Sequence, residues 1–189
     1  MTTQAEPIGP GKLVLVVGPS GAGKDTLISL AKNSCAGNDR IVFPPRAVTR
    51  SASAFEDNLT LSSVEFETAL ARDAFALHWQ AHGHHYGIPR TIDDDIRLGK
   101  TVVINVSRTI IAQARARYLN VVVVLITAPA GELAARLAAR DRASDGNVGE
   151  RLQRANLDAG VIADVIINNV GDAEDGARRL LEAIPTKQR

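Results

Sequence analysis

The chain has 189 residues, 45% of them hydrophobic, so it is long and apolar enough to bury the core of a single domain. Its formal net charge of +1 excludes a surface built to coat nucleic acid, and a single cysteine, Cys35, excludes an intrachain disulfide and fits a reducing compartment. The longest apolar run, Val121 to Ile126, is far shorter than the roughly 20 residues of a membrane span, so we expect a cytoplasmic protein without a membrane partner.

Strands and helices are predicted to alternate along most of the chain. Residues 1–11, with two prolines and two glycines, form a loose polar tail that lacks the apolar core of a signal peptide. Apolar runs rich in β-branched residues then predict strands buried on both faces, and helical patterns between them predict βαβ units with a parallel sheet. The predicted strands are Lys12–Gly18, Thr101–Ser107, Asn120–Thr127 and Asp164–Asn169, and the predicted helices are Lys24–Asn33, Thr109–Arg117, Gly131–Arg140, Val148–Gly160 and Ala173–Ile184.

A glycine-rich loop, GPSGAGK from Gly18 to Lys24, follows the first strand and opens the first helix. In this setting backbone N–H groups turn inward around phosphate oxygens, and the helix N-terminus adds a favourable dipole. Lys24 supplies a point charge for the β- and γ-phosphates of a nucleotide. The combination of strand, loop, lysine and helix disfavours a glycine-rich turn without a ligand. It predicts a catalytic lysine, Lys24, within an ATP site made of Gly18, Ser20, Gly21, Ala22, Gly23, Lys24 and Asp25. Thr26 is added to this site because it resembles the Thr of the Gly-Lys-x-Thr variant in nucleoside monophosphate kinases, which implies a contact between its hydroxyl and a nucleotide phosphate.

Asp25 departs from the strict form of this motif, which has Ser or Thr directly after the lysine. An acid in a first helical turn meets the positive end of the helix dipole. Beside a triphosphate, however, its carboxylate must either point away or have Mg²⁺ between it and the phosphates. We therefore expect ATP with Mg²⁺ held mainly by the nucleotide phosphates and water, and no metal site made by the protein itself.

From Arg46 to Pro89 the apolar runs are short and interrupted, which predicts a small antiparallel insertion on the parallel core. Its stretch FALHWQAHGHHYGIP holds all four histidines of the chain. His84 and His85 are neighbours in a predicted strand and face opposite ways, and Gly83 suggests a turn just before them. This spacing favours polar lining of an acceptor site, or plain packing, over the convergent ligands of a metal site.

Most charged segments between Thr91 and Arg151 are predicted to have a structural role, with one exception. Thr91 followed by the acids Asp93–Asp95 predicts a helix start, with Thr91 as its cap, rather than a metal cluster. Arg115 and Arg117 are predicted to lie at a solvated helix end. The exception is Arg140–Arg151, an Arg-flanked loop with Gly and Asp that is typical of a mobile lid.

Four segments resemble the guanylate kinase family in order and spacing, and the resemblance runs from Leu13 to about Ile184. They are the phosphate loop, VTR at Val48–Arg50, HGHHYG at His82–Gly87 and the Arg140–Arg151 loop. That resemblance implies an α/β fold, with a P-loop kinase core whose parallel sheet is flanked by helices. It implies one domain over 1–189, with a tail (1–11), an acceptor-binding insertion (46–89) and an Arg-bearing lid (140–151). It also implies that Arg140 and Arg151 are catalytic and that Asn168 or Asn169 lies near the adenine.

Several positions depart from the guanylate kinase pattern. Leu77 and Ile88 stand where the family has the Glu and the Ser/Thr that hydrogen-bond guanine, and Ser107 stands where it has an Asp. The phosphate binders Arg50 and Tyr86 remain. By resemblance, therefore, the readers of the base are absent while the binders of phosphate are present. Two further substitutions replace an acceptor-phosphate Tyr and a Glu of the family by Asn58 and Asn105.

With these departures the chain resembles the branch of the family that acts in phosphonate breakdown. Asp25, an extra Arg46 and NVSR at Asn105–Arg108 add to this resemblance. That branch uses ATP to convert ribose 1,5-bisphosphate to 5-phosphoribosyl 1-diphosphate. The resemblance implies two small-molecule partners, ATP and a sugar phosphate, with Arg46, Arg50, Tyr86 and Ser107 binding the acceptor. The alternatives are a guanylate or other nucleoside monophosphate kinase, disfavoured by Leu77, Ile88 and Ser107, and a non-catalytic binding module, disfavoured by Lys24. The oligomeric state is not predicted.

Overall fold

The computed structural model describes residues 6–50, 57–139 and 162–184. Helices and strands alternate in the parallel core as the sequence predicts, with a 3₁₀ turn at Arg108–Ile110. The predicted helix Val148–Gly160 lies outside the described residues. The strands are β1 (Lys12–Val17), β2 (Ile41–Val42), β3 (Arg46–Val48), β4 (Asn58–Thr60), β5 (Phe75–Ala81), β6 (His84–Pro89), β7 (Thr101–Asn105), β8 (Val121–Thr127) and β9 (Val165–Asn168). The helices are α1 (Lys24–Ser34), α2 (Ser63–Ala71), α3 (Ile92–Arg97), α4 (Ile111–Arg117), α5 (Ala130–Ala138) and α6 (Ala173–Ala183).

A five-stranded sheet has the order β2-β7-β1-β8-β9, in which β2 runs parallel to β7 and β8 runs parallel to β9. Every residue from Leu13 to Val17 is fully buried, which confirms the predicted strand covered on both faces. β2 was not predicted, because a strand of two residues shows no periodic pattern. No helix in the described parts of the chain is long and apolar enough to cross a membrane.

The chain separates into two compact units, and the first comprises the described residues 6–15 and 37–122. This unit holds a second sheet of order β4-β3-β6-β5, which corresponds to the predicted insertion. β6 runs antiparallel to β3 and β5 as predicted, but β4 runs parallel to β3, so the sheet is mixed. The prediction of a wholly antiparallel insertion was therefore wrong, because alternation of polar and apolar residues indicates a half-buried strand and not its direction.

Helix α2 covers one face of this second sheet. It begins with a capping box, in which the Ser62 hydroxyl accepts from the Glu65 N–H and the Glu65 carboxylate accepts from the Ser62 N–H. Its buried Phe66 stacks on Phe75, with ring centroids 4.6 Å apart, so Phe75 belongs to the core of the insertion. The hairpin between β5 and β6 turns at His82 and Gly83, both with positive φ, where Gly83 suggested a turn.

A buried ion pair anchors helix α3 within the first unit. Asp93 is 3% exposed and accepts hydrogen bonds from the Tyr118 hydroxyl, at 2.6 Å, and from the Arg117 guanidinium. Arg117 is half-buried against this carboxylate, so its prediction as a solvated helix end was wrong. Thr91 precedes α3, but its backbone is already helical and its side chain makes no capping bond, so the cap was wrong too.

The second unit comprises the described residues 16–36, 123–139 and 162–184. Helices α1 and α6 pack together in it, and the Leu27 side chain lies against Gly176. Asp164, just before β9, accepts a hydrogen bond from the Val123 N–H at 2.7 Å. Because β8 and β9 pair in register from Val124–Val165 to Thr127–Asn168, the residues after β9 arrive at the same edge as the end of β8.

Candidate active site

The phosphate loop, Gly18 to Lys24, leaves β1 and enters α1 as the sequence predicts. Gly18 has a φ of +145°, and a Cβ built on it would lie 2.0 Å from the carbonyl oxygen of Ile126. Gly23 has a φ of +89°, and its Cβ would lie 2.4 Å from the Asn169 Nδ2 atom. The loop can keep this shape only with glycine at both positions, because any side chain would collide with the end of β8 or with Asn169.

Lys24 reaches back across the phosphate loop. Its Nζ atom donates to the carbonyl oxygens of Gly18, at 2.8 Å, and Pro19, at 2.9 Å. The ammonium group is half-buried, so the loop carries a fixed positive charge beside the helix N-terminus. Of the other residues predicted to bind ATP, Gly21 and Ala22 are buried, Asp25 is half-buried, and Ser20 and Thr26 are exposed.

Asn168 and Asn169 end β9 with opposite orientations. The Asn168 side chain is exposed, whereas Asn169 is only 6% exposed. The Asn169 Nδ2 atom donates a buried hydrogen bond of 2.8 Å to the carbonyl oxygen of Ala22. Of these two predicted ATP-site residues, therefore, Asn169 contacts the phosphate loop itself, and Asn168 presents its amide to solvent.

The face of the second sheet opposite α2 holds two of the predicted acceptor binders, Arg46 and Tyr86. We call Arg46, Asn58, Trp79 and Tyr86 the acceptor face. Arg46 and Asn58 are partners in adjacent strands, and the rings of Trp79 and Tyr86 stack at 5.3 Å with an angle of 8°. The Arg46 guanidinium carbon lies 5.3 Å from the Tyr86 ring centroid, and Nη1 donates to the Asn105 carbonyl at 3.2 Å. Arg46 and Tyr86, which are 40 residues apart in sequence, are thus brought together as a cation over an aromatic ring.

Leu77 and Ile88 lie in register on β5 and β6, in the same alternation as Trp79 and Tyr86. They are 0% and 1% exposed. Both positions that would have to hydrogen-bond guanine in the family pattern are therefore buried hydrocarbon. Trp79, at 9% exposure, belongs to this packing and not to an open stacking platform.

Thr49 follows β3 directly and precedes Arg50, and its role was not predicted. Its N–H donates to the His85 carbonyl at 3.1 Å, and its Oγ1 accepts from the His85 N–H at 2.8 Å. The hydroxyl therefore takes the place that the Thr49 carbonyl would occupy in a continuing ladder. The strand ends there, and half-buried Arg50 leaves the sheet. A Thr directly before a motif arginine was the available signal.

Ser107, predicted to bind the acceptor, caps the 3₁₀ turn that follows β7. Its Oγ atom accepts from the Thr109 N–H at 3.3 Å and from the Thr109 hydroxyl at 2.9 Å. This capping role is typical of Ser before a helical turn and was not predicted. Arg140 and Arg151, which were predicted to be catalytic, and the predicted lid between them lie outside the described residues.

The histidines of the insertion do not converge. His84 and His85 lie on opposite faces of β6, and the His85 ring lies 5.3 Å from the ring of Phe66. Within residues 6–50, 57–139 and 162–184, no group of three or more His, Cys, Asp or Glu side chains could hold a metal ion. The His85 side chain packs with the insertion core.

The family model described as guanylate kinase matches residues 10–186 of the chain. A ribose 1,5-bisphosphate phosphokinase (PhnN) from Bradyrhizobium diazoefficiens is 56% identical over 181 residues, which covers 96% of this chain and 91% of that protein. A protein of the same name from Rhodopseudomonas palustris is 60% identical over 177 residues, with 94% and 90% covered. The crystal structure of a guanylate kinase from Anaplasma phagocytophilum matches with a TM-score of 0.66 at 22% identity, covers 96% of this chain and 89% of its own, and shows a common fold.

Proposed function

The chain belongs to the guanylate kinase family and, within it, to the ribose 1,5-bisphosphate phosphokinases, and from this membership we propose its reaction. The protein transfers the γ-phosphoryl group of ATP to the 1-phosphate of ribose 1,5-bisphosphate. An oxygen of that phosphate forms the new P–O bond, the bond between the β- and γ-phosphates breaks, and ADP leaves with 5-phosphoribosyl 1-diphosphate as the second product. The observation that carries this proposal is the acceptor face, where Arg46 lies over Tyr86 beside buried Leu77 and Ile88.

The nature of the acceptor removes the need for a general base. A hydroxyl acceptor must lose a proton, and kinases position an Asp for that purpose. Ser107 stands where the family pattern has an Asp, and its oxygen caps a 3₁₀ turn. A phosphate monoester, with a second pKa near 6, is already largely dianionic at neutral pH, so its oxygen can attack without proton transfer to the protein. The absence of a carboxylate at position 107 therefore fits a phosphate acceptor.

The phosphate loop supplies the donor side of this reaction. Its backbone N–H groups and the Lys24 ammonium hold the phosphates of ATP and stabilise charge that builds up on the bridging oxygen as ADP departs. These donors suit phosphate oxygens and not a cation, so Mg²⁺ would be held mainly by the nucleotide phosphates and water, and Asp25 in the first turn of α1 could accept a hydrogen bond from one of those waters. When bound, Mg²⁺ neutralises phosphate charge. Arg140 and Arg151 are proposed to add cations over the transferring group.

The acceptor side supplies cations for two phosphates. Arg50 and Tyr86 bind one phosphate, and Arg46 binds the second. Arg46 is held by the Asn105 carbonyl and the Tyr86 ring, so less side-chain freedom is lost when the acceptor binds. A charge-assisted hydrogen bond contributes about 1.5–3 kcal/mol, so this one arginine favours a bisphosphate over a monophosphate by roughly tenfold or more.

The same face rejects a guanine nucleotide. Leu77 and Ile88 offer no hydrogen-bonding atom, so guanine's polar edge would lose its water without gaining partners. Sites that leave polar groups unpaired in this way discriminate by several orders of magnitude. GMP is therefore expected to be a poor acceptor.

The test is a comparison of kcat/KM for ribose 1,5-bisphosphate and for GMP, with ATP and Mg²⁺ held constant and ADP release followed. We expect the bisphosphate to exceed GMP by at least about 100-fold. A value for GMP equal to or above that for the bisphosphate would overturn the proposal in favour of a guanylate kinase. No ADP release with either acceptor would point to a binding module.

A further inference from the structure

Asn169 is wedged between the phosphate loop and helix α6. Its Nδ2 atom lies 2.4 Å from where a Cβ of Gly23 would be, and its Oδ1 atom lies 2.9 Å from where a Cβ of Gly176 would be. The two glycines leave the space that the carboxamide fills. At 6% exposure, and with Nδ2 donating to the Ala22 carbonyl at 2.8 Å, this amide is a buried polar group with a defined partner.

The backbone of Asn169 is fixed as well. Its N–H donates to the Thr127 carbonyl at 2.7 Å, and its carbonyl accepts from Arg136 Nη2 at 3.0 Å. β9, β8 and α5 therefore all hold the residue from which the side chain extends. Because the backbone N–H and the carbonyl of Asn169 are both hydrogen-bonded, its side chain extends from a fixed backbone and can hold another segment in place.

The bond to the Ala22 carbonyl orients the next N–H of the loop. In a trans peptide the C=O and N–H of one unit point in opposite directions. With the Ala22 oxygen turned toward Asn169, the N–H of Gly23 points away from it. The N–H of Gly23 belongs to the run of backbone donors that holds phosphate in a loop of this kind.

We propose that Asn169 is a positioning residue for the phosphate loop and not a reader of the adenine base. It fixes the Ala22–Gly23 peptide so that the loop is formed before the nucleotide arrives. The inference rests on the proposed ATP site, whose phosphates this loop would bind. It assigns Asn169 an effect on every ligand with a polyphosphate chain, whatever base that ligand carries.

Inorganic tripolyphosphate separates these two roles, because it has the phosphates of ATP and no base. Titration calorimetry with Mg²⁺ would compare the parent with Asn169→Ala, using exposed Asn168→Ala as the matched control at the same strand end. We expect Asn169→Ala to weaken binding of both ATP and tripolyphosphate, by a similar factor of about tenfold or more, since a buried carbonyl loses its partner. Asn168→Ala should leave tripolyphosphate binding within about twofold of the parent.

Asn169→Ala that weakens ATP but leaves tripolyphosphate unchanged would overturn the proposal and make Asn169 a base reader. Should that variant fail to fold, Gly176→Ala is the second variant, because its methyl would press on Oδ1 of an otherwise intact Asn169 and on the Leu27 side chain, each at 2.9 Å. Weaker tripolyphosphate binding supports the proposal, and unchanged binding contradicts it. Neither titration contains an acceptor, so a negative result leaves the proposed sugar phosphate untouched.

Discussion

The phosphate loop and the acceptor face are built in different ways. The loop is one continuous segment whose shape depends on the main chain, since Gly18 and Gly23 have positive φ and no room for a Cβ. The acceptor face gathers single side chains from β3, β4, β5 and β6. Phosphate, which many kinases share, can be bound by backbone N–H groups, whereas the choice of one acceptor requires side chains that substitution can alter singly. The backbone of the loop therefore supplies phosphate binding, and the side chains of the acceptor face set the specificity for the acceptor.

The largest effect is expected from removing the side chain that gives the phosphate loop its positive charge. Lys24→Ala should lower kcat by roughly 100-fold or more, because the charge that stabilises the transferring phosphoryl group is lost. Steady-state kinetics would measure the loss, with Lys32→Ala at the other end of α1 as a control. A folded Lys24→Ala protein with near-normal turnover would contradict the donor assignment.

A change on the acceptor face should act on one substrate only. Arg46→Gln is expected to raise KM for ribose 1,5-bisphosphate about tenfold and leave KM for ATP unchanged, because only a cation for the second phosphate is lost. Exposed Arg72→Gln, just after α2, controls for loss of charge. Equal increases in both KM values would show that Arg46 does not discriminate between the two sides.

Thr49 tests whether the backbone also contributes to acceptor binding, because its hydroxyl bonds to the main chain of His85 next to Arg50. Thr49→Val removes the hydroxyl that ends β3 while keeping the shape of the side chain, and should raise KM for the acceptor about fivefold, roughly one hydrogen bond. Thr49→Ser restores the hydroxyl and should return KM to near the parent value. If Ser behaves like Val, the effect comes from packing and Thr49 does not position Arg50.

Replacing Tyr118, in the first unit, should change the stability of the protein without changing the binding of the acceptor. Burial raises the pKa of its hydroxyl above the ordinary value near 10, and the bond to Asp93 raises it further. Because the folded pKa lies above the unfolded one, the contribution to stability is complete below pH 10 and is lost as the pH rises above it. Thermal unfolding of the parent should show this alkaline loss, and Tyr118→Phe should not.

The Tyr118→Phe variant is also expected to be less stable at neutral pH, by about 1–2 kcal/mol, since Asp93 loses one of its donors. Its kcat/KM for either substrate should match that of the parent. An equal alkaline loss of stability in Tyr118→Phe would show that another group titrates.

Local patterns in the sequence predicted the parts of the fold that local physics controls. The buried β1, the loop of glycines and the turn at Gly83 each follow from a few adjacent residues. Resemblance to the family pattern, and not a local pattern, predicted a face without base-reading groups from Leu77 and Ile88, and both are buried.

Long-range pairings could not be predicted in the same way. Asp93 and Arg117 are 24 residues apart and Asn169 and Ala22 are 147 apart, and no local period links such partners. The sequence therefore predicted Arg117 to lie at a solvated helix end, because nothing in it indicated the ion pair with Asp93. The parallel direction of β4 is likewise a property of the chain's path and not of the strand's own residues.

Trp79 gives the acceptor face an optical signal of its own. It is the chain's only tryptophan, and it stacks on Tyr86 beneath the Arg46 guanidinium. Indole emission responds to nearby charge and to the polarity around the ring. Selective excitation of this one fluorophore therefore reports on the environment of Arg46 and Tyr86, without any label, when a sugar phosphate is titrated into the protein.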